Sequence, residues 1–281
     1  MGVFQNHLMG AAAAAAGGGA FYDYQIEQSA RFEVASTSKL SRSFGTSSDL
    51  SKFTLSLWAK RSLTYIDGGN TNWQVIMCED SGVNGGGAAF GFESGGGSSG
   101  GLNNRDRIAW YGLKGASGGS SGGDDRIAGY YYDTTGWMHI VVRFDTSQSS
   151  GNKVKYYVNG DGPKERTTTN EPSGDSDNFN TDGETHVIGS TTSNNYGFDG
   201  YLAEVIFTDG QSYAPSQFGE SKNGVWIPKD PSGTTFGTNG FHLKFQNASA
   251  LGDDSSGNNN DFTANNMGAD HQILDSPTFG S

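Results

Sequence analysis

Two-residue alternation, interrupted by clusters of Gly, Asn, Asp and Ser, most limits what this chain can fold into. Phe53-Thr-Leu-Ser-Leu-Trp58 alternates at every step, which sends Phe53, Leu55 and Leu57 to one face of a strand and Trp58 to the other. Trp137 to Phe144 is a long β-branched and aromatic run. Lys153 to Val158 continues the alternation and stops at Asn159-Gly160, a pair favoured in tight hairpin turns because both positions need positive φ. Gly200 to Phe207, closed by Asp209-Gly210, and Gly240 to Phe245 supply further strands. Only Pro215-Ser-Gln-Phe-Gly219 suggests a short helical turn. Strands at this spacing without helical periods predict an all-β fold, two antiparallel sheets packed as a jelly-roll sandwich.

Composition narrows the class further. Of 281 residues, 44 are glycine and 6 are proline, with no triplet period, which excludes collagen. Aromatics at 12% are too many for a disordered chain. A formal net charge of −12 argues against nucleic acid as a partner, since duplex binding needs a basic face. No segment is apolar for the roughly 18–20 residues a bilayer requires, so no membrane span is expected. The single cysteine, Cys78, excludes an internal disulfide and sits in a strand-like run where an inert buried thiol is expected.

The first residues are of another kind. Ala11 to Ala16 are six consecutive alanines followed by Gly17 to Gly19, and no Lys or Arg precedes Arg31. The basic start of a secretory signal is missing, so assembly without the secretion machinery is expected. A helix this short is marginal in water and would persist on a partner, so residues 1–28 read as a floppy tail or as a docking peptide or helix. A second oddity is an internal echo. Gly96-Gly-Ser-Ser-Gly-Gly101 precedes Asp106-Arg-Ile-Ala109, and Gly118-Gly-Ser-Ser-Gly-Gly123 precedes Asp125-Arg-Ile-Ala128. The two units read as successive strands entered through flexible loops, which are either tolerated insertions or a contact surface.

The stretches "FTLSLWAKR" ending at Arg61, "WMHIVVRFDTSQSSGNKVKYYVNG" from Trp137 and "IGSTTSNNYGFDGYLAEVIFTDGQSYAPSQFG" from Ile188 together resemble the laminin-G-like, concanavalin A-like lectin/glucanase jelly rolls over about Ser29 to Gly219. Further on, "FGESKNGVWIPKD" from Phe218, "TFGTNGFHLKF" from Thr235 and "DSSGNNNDFTANN" from Asp254 look like a module of structural proteins of marine tailed bacteriophages, and "MGVFQNHLMGAAAAAAGGG" is similar to how such proteins begin. The resemblance implies a non-enzymatic virion protein on the particle surface, assembled in the host cytoplasm. Residues 1–28 would anchor it through Phe4, Leu8, Ala11, Ala12, Ala13, Ala14, Ala15 and Ala16 to major capsid or tail proteins. Residues 29–219 would form the jelly roll, and 220–281 would pack on it or cover a sheet edge. Related chains continue beyond a motif like Asp275-Ser-Pro-Thr278, whereas this one ends at Ser281, which implies a capsid decoration or short fibre protein, a homo-oligomer on the particle.

Chemistry is sparse. The glucanase branch of this superfold carries Glu-x-Asp-x-x-Glu, and no Glu-x-Asp occurs here, so no catalytic residue is assigned and a glycan hydrolase is the weakest alternative. His7, His139, His186, His242 and His271 stand apart from one another in sequence and read as satisfied strand or loop histidines. Calcium is the one metal carried, on Asp254, Asn258 and Asp261 with their neighbours, or on Asp175, Asp177 and Asp182; Asx-turn chemistry is the competing reading. No other cofactor is expected. Host surface glycans are the alternative partner, in a tail-fibre adhesin, through exposed aromatics: Trp73, Tyr196 and the run Tyr130 to Tyr132, with Tyr131 at its centre.

Overall fold

The computed structural model describes residues 21–63, 73–79, 87–93, 106–113, 123–167, 172 and 179–278. In chain order the strands are β1 (Ser29–Phe32), β2 (Lys39–Ser43), β3 (Lys52–Arg61), β4 (Trp73–Glu79), β5 (Ala89–Glu93), β6 (Arg107–Leu113), β7 (Gly123–Arg126) and β8 (Met138–Asp145). They continue as β9 (Val154–Val158), β10 (Thr185–Ile188), β11 (Gly200–Asp209), β12 (Gly219–Lys222), β13 (Val225–Pro228), β14 (Phe241–Leu243), β15 (Thr263–Asn265) and β16 (Gln272–Ile273). Two seven-stranded sheets face each other. Sheet A runs β16-β1-β11-β3-β8-β9 with β14 also on β11, and sheet B runs β15-β2-β10-β4-β5-β6-β7. The pairings are antiparallel, and the result is the expected jelly-roll sandwich.

Alternation sets the core. In register, Phe53 opposes Phe144, Leu55 opposes Val142 and Leu57 opposes Ile140, all pointing inward. Phe53 stacks on Phe144 with centroids 4.8 Å apart and meets Trp110 of sheet B at 5.3 Å and Phe179 at 5.8 Å. Aromatic rings therefore bridge the two sheets where both inner faces meet. The Asn159-Gly160 turn forms with φ values of 50° and 72°. The chain after it pairs through a single bridge, Val158 with Asp161, where a hairpin is expected from the sequence; the next residues lead to Pro163, which has no N–H to donate. Gly160 is further required because a Cβ there would lie 2.2 Å from the Trp226 ring. The helical turn is a 3-10 turn at Pro215–Gln217.

The C-terminal residues do two things. The β12–β13 hairpin and its flanks cover the outer face of sheet A, where Phe218 packs on Val141 and Ile206, and Trp226 packs with Trp58 and Ala203. Beyond it, β14 joins β11, β15 joins β2 and β16 joins β1, so both sheets are extended from the same tail. The start of the described chain is fastened to its end: Ile26 N–H donates to Thr278 Oγ1 (2.9 Å), and that hydroxyl donates back to Ile26 O (2.9 Å). Ile26, counted in the attachment segment on sequence grounds, is buried against Trp58.

Candidate functional site

Two places gather polar side chains. The first lies on the outer face of sheet A, beneath β13. His139 stacks on Trp58 (4.8 Å), its Nε2 is 2.9 Å from Ser56 Oγ, and its Nδ1 accepts from Trp226 Nε1 at 2.9 Å. Beside it, Glu204 receives Tyr24 OH on Oε1 (3.1 Å) and meets His242 Nε2 through Oε2 (2.5 Å). Glu204 sits at the β11 bulge with φ 47°, which turns its carboxylate under Tyr24. The histidines are isolated in sequence, yet His242 finds a carboxylate in space.

A serine, a histidine and a glutamate so arranged invite comparison with a hydrolase. An indole N–H can only donate, so Nδ1 of His139 is the bare nitrogen and Nε2 carries the proton. His139 therefore donates to Ser56 and cannot take its proton, the reverse of what a serine nucleophile needs. Burial also pushes its pKa down to about 3, which keeps the ring neutral. Burial and the neighbouring Glu204 raise the Tyr24 phenol, so it stays a donor. This cluster fastens residue 24 and β13 onto sheet A.

The second place is a rim at one end of sheet B. Asp106 precedes β6 with φ 60°, and its N–H donates to Glu93 O at 2.6 Å. Its carboxylate takes Arg61 Nη1 at 2.7 Å, and Arg61 Nη1 also donates to Tyr131 O at 2.8 Å. Arg61 has a fully buried side chain and lies 4.4 Å over the Phe92 ring; burial lowers its pKa, with Asp106 pulling the other way. Tyr131 N–H in turn donates to Asp106 O (2.6 Å), so the segment after β7 is pinned to the start of β6 by a buried ion pair. On the solvent side Arg126 grips Glu93 through Nε (2.5 Å) and Nη2 (3.0 Å). Arg107 lies 5.1 Å over the Tyr130 ring and reaches Tyr130 OH with Nη2 (3.2 Å) and Thr167 Oγ1 with Nη1 (3.4 Å).

The outcome for the aromatics follows from extended geometry. Neighbouring side chains point to opposite sides, so three tyrosines in a row cannot share one environment. Tyr131 packs against the main core, and burial raises its pKa to about 12. Tyr130 and Tyr132 are 49% and 66% exposed. The centre of the run is thus the wrong tyrosine for an exposed platform; its two neighbours are the exposed ones, a distinction the alternation already held. Trp73 and Tyr196 are also not exposed platforms: they are 5% and 8% exposed and pack with Val75, Ala89 and Ala109 on the outer side of sheet B. Small residues there leave room that these large rings fill.

The other expected sites fall as follows. Phe4, Leu8 and Ala11 to Ala16 lie outside the described residues, as do Asp175 and Asp177. Asp254 Oδ1 accepts N–H groups of His242 and Ser256 (both 2.8 Å), and its Oδ2 accepts from Ser256 Oγ (2.7 Å) and Asn260 N–H (2.9 Å). Asp261 accepts Asp254 N–H at 2.8 Å, and Asn258 Nδ2 donates to the carbonyls of Gly237 (2.7 Å) and Gly240 (2.9 Å). Asp254 and Asp261 close their own loop, as Asx turns do, and the bonds to His242, Gly237 and Gly240 tie that loop to β14 and the chain before it. Asp182 accepts from Thr46 Oγ1 at 3.0 Å. Among the described residues no three His, Cys, Asp or Glu side chains converge as metal ligands. Cys78 is buried and donates to Ser190 O at 3.4 Å. The two Asp-Arg-Ile-Ala segments become β6 and the β7 region, paired antiparallel, with Ile108 and Ile127 both in the core.

Similarity to known proteins bears on the fold. No curated protein matches in sequence. Among solved structures, a Bacteroides ovatus protein provisionally described as carbohydrate binding superposes with a TM-score of 0.57 at 18% identity, over 86% of this chain and 59% of its own. The chain therefore spans little more than half of that protein. Domain 4 of an extracellular arabinanase from Geobacillus stearothermophilus, solved with arabinotriose, gives a TM-score of 0.42 at 19% identity, over 70% of this chain and 78% of that one. Tailspike protein 2 of an Escherichia coli O157:H7 bacteriophage gives 0.38 at 14% identity, over 65% of this chain and 22% of its own. In sequence, residues 28–211 match the family described as the concanavalin A-like lectin/glucanases superfamily, a span that covers every strand from β1 to β11. Family match and two-sheet architecture agree, and the chain belongs to the concanavalin A-like lectin/glucanases superfamily.

Proposed function

We propose that this protein is a non-catalytic carbohydrate-binding module whose binding surface is the rim of Tyr130, Tyr132 and Arg107. The carrying observation is two exposed tyrosines on a segment whose backbone at residue 131 is tied to the buried Arg61–Asp106 pair, with the Tyr130 ring held by Arg107. Sugar rings bind by laying C–H faces on aromatic rings while planar polar groups take their hydroxyls. A backbone fastened beneath the rings loses little freedom on binding. The description of the Bacteroides ovatus protein, which shares the fold, agrees with this reading. The Ser56–His139 arrangement has the wrong proton placement for hydrolysis, which favours binding without turnover.

A glycan array followed by titration calorimetry tests it. Tyr132→Ala is expected to weaken the best glycan roughly tenfold. Its thermal midpoint should stay put, because the ring is 66% exposed. Unchanged affinity in Tyr132→Ala would move the site elsewhere. No binding at millimolar sugar, with or without calcium, would end the reading.

A second reading concerns where the module is displayed. The N-terminal alanine run and the phage-like motifs from Phe218 to Asn266 favour a virion surface protein, a capsid decoration or short fibre protein, joined to capsid or tail subunits by its first residues. Deleting residues 2–20 is expected to remove the protein from purified particles while the sandwich still folds. Wild-type occupancy of the truncated chain would refute the anchor. The two readings are compatible, since a displayed module can also bind host glycans.

A further inference from the structure

We infer that the glycan taken at this rim is acidic, and that Arg107 receives its carboxylate beside Tyr132. The inference rests on the carbohydrate-binding reading and sharpens it. Three neighbouring guanidinium groups already hold carboxylates: Arg61 holds Asp106 (2.7 Å), Arg126 holds Glu93 (2.5 Å) and Arg166 holds Asp125 (2.8 Å). Arg107 holds none among the described residues. It stands directly across the strand pair from Glu93, but both Glu93 oxygens are engaged by Arg126. Its two hydrogen bonds, to Tyr130 OH at 3.2 Å and Thr167 Oγ1 at 3.4 Å, go to long, neutral acceptors, and its Nε is buried without a hydrogen-bond partner.

The internal repeat makes the gap specific. In Asp106-Arg107-Ile108-Ala109 and Asp125-Arg126-Ile127-Ala128 both aspartates are ion-paired and both isoleucines are buried. Arg126 meets a carboxylate of the protein, whereas Arg107, its counterpart, lies over the ring of Tyr130, two residues before the exposed Tyr132. Arg42 and Arg143 likewise go to neutral acceptors, Asn260 and Ser212, but of these three Arg107 is the one over an exposed ring. Glu93 and Asp106, the acids across from it and next to it, are already held by Arg126 and Arg61. A guanidinium fork matches a carboxylate in two parallel hydrogen bonds, and stacking on Tyr130 leaves the fork edge oriented. Uronates and sialic acids carry a carboxylate directly on the pyranose ring, so one residue can be held by Arg107 through its acid and by Tyr132 through its face.

Titration calorimetry on the full-length protein separates the possibilities. The probes are tetragalacturonate, tetramannuronate and sialyllactose, each beside an uncharged counterpart: methyl-esterified tetragalacturonate, mannotetraose and lactose. At least one acidic member should bind roughly tenfold tighter than its counterpart at low salt, the excess of a hydrogen bond to a charged group over a neutral one. Arg107→Gln should bring that ratio close to one, and Arg107→Lys should keep part of it. Equal affinity for acidic and neutral members, or an acidic preference that survives Arg107→Gln, would overturn the inference. Neutral binding that depends on Tyr132 but not on Arg107 would defeat it and leave the carbohydrate reading intact. Binding of no glycan would defeat both.

Discussion

Replacing Asp106 by alanine is expected to lower the unfolding free energy by about 3–5 kcal/mol, the cost of leaving a buried charge without its partner. Arg61 supplies that charge: its side chain is fully buried, and Asp106 and the Tyr131 carbonyl take its Nη1. The guanidinium is itself fully buried, so with the carboxylate gone most of its desolvation cost stands uncompensated. Asp106 also adopts φ 60°, a conformation that alanine resists and asparagine tolerates. Asp106→Asn therefore isolates the charge from the backbone and is expected to destabilise less than alanine. Removing both charges in Arg61→Met/Asp106→Asn should recover much of the loss, because no ion is then left buried, and asparagine keeps the φ of 60°. Urea unfolding of the four proteins measures this. A loss under about 1 kcal/mol in Asp106→Ala would mean that Arg61 reaches solvent on its own. The consequence extends to function, since the pair pins residue 131 between the exposed tyrosines: any glycan affinity should fall with Asp106→Ala even where the chain remains folded.

Acidification should destabilise the protein in a way traceable to one ring. Burial holds His139 down at about 3, whereas an unfolded histidine titrates near 6.5. Between those values the unfolded chain binds a proton that the native chain refuses, so unfolding is favoured as pH falls. The penalty is absent above pH 6.5 and grows toward pH 3. One proton amounts to about 1.4 kcal/mol per pH unit, or about 3 kcal/mol between pH 6 and pH 4. The geometry gives the same sign, because protonating Nδ1 would set it against the Trp226 N–H that now donates to it. His186, also pushed down to about 3 by burial, adds in the same direction, while the carbonyls of Glu184 and Phe179 work against it. His139→Gln should flatten the pH dependence of the denaturation midpoint by about one proton. An identical slope in the variant and the wild type would exclude His139 as its source.

How much of this was legible beforehand differs by element. The inward set Phe53, Leu55 and Leu57 and the fate of Trp58 follow from alternation alone, because a strand has only two faces. The Asn159-Gly160 turn was equally readable, but the clash that a Cβ at residue 160 would make with Trp226 was not, since the two lie far apart in sequence. The tyrosine run announced aromatic exposure and misplaced it by one residue: composition marks a candidate, whereas register decides which ring faces water. For Trp73 and Tyr196 no local signal separates a ring packed over small neighbours from one laid open for a ligand.

By itself the sequence determined the sandwich, the places of β3, β8, β9 and β11 and the family, because these depend on patterns within a few residues of one another. Only the tertiary structure decided which charges are paired. Arg61, Arg126 and Arg107 are alike as residues, yet the first is buried on Asp106, the second grips Glu93 and the third has no carboxylate among the described residues. A carboxylate satisfies a guanidinium only at contact distance, and those distances are set by long-range pairing of strands. The same holds for His139: the sequence places it in a strand, but only the indole folded over it from β13 fixes which nitrogen carries the proton, and so what its chemistry can be.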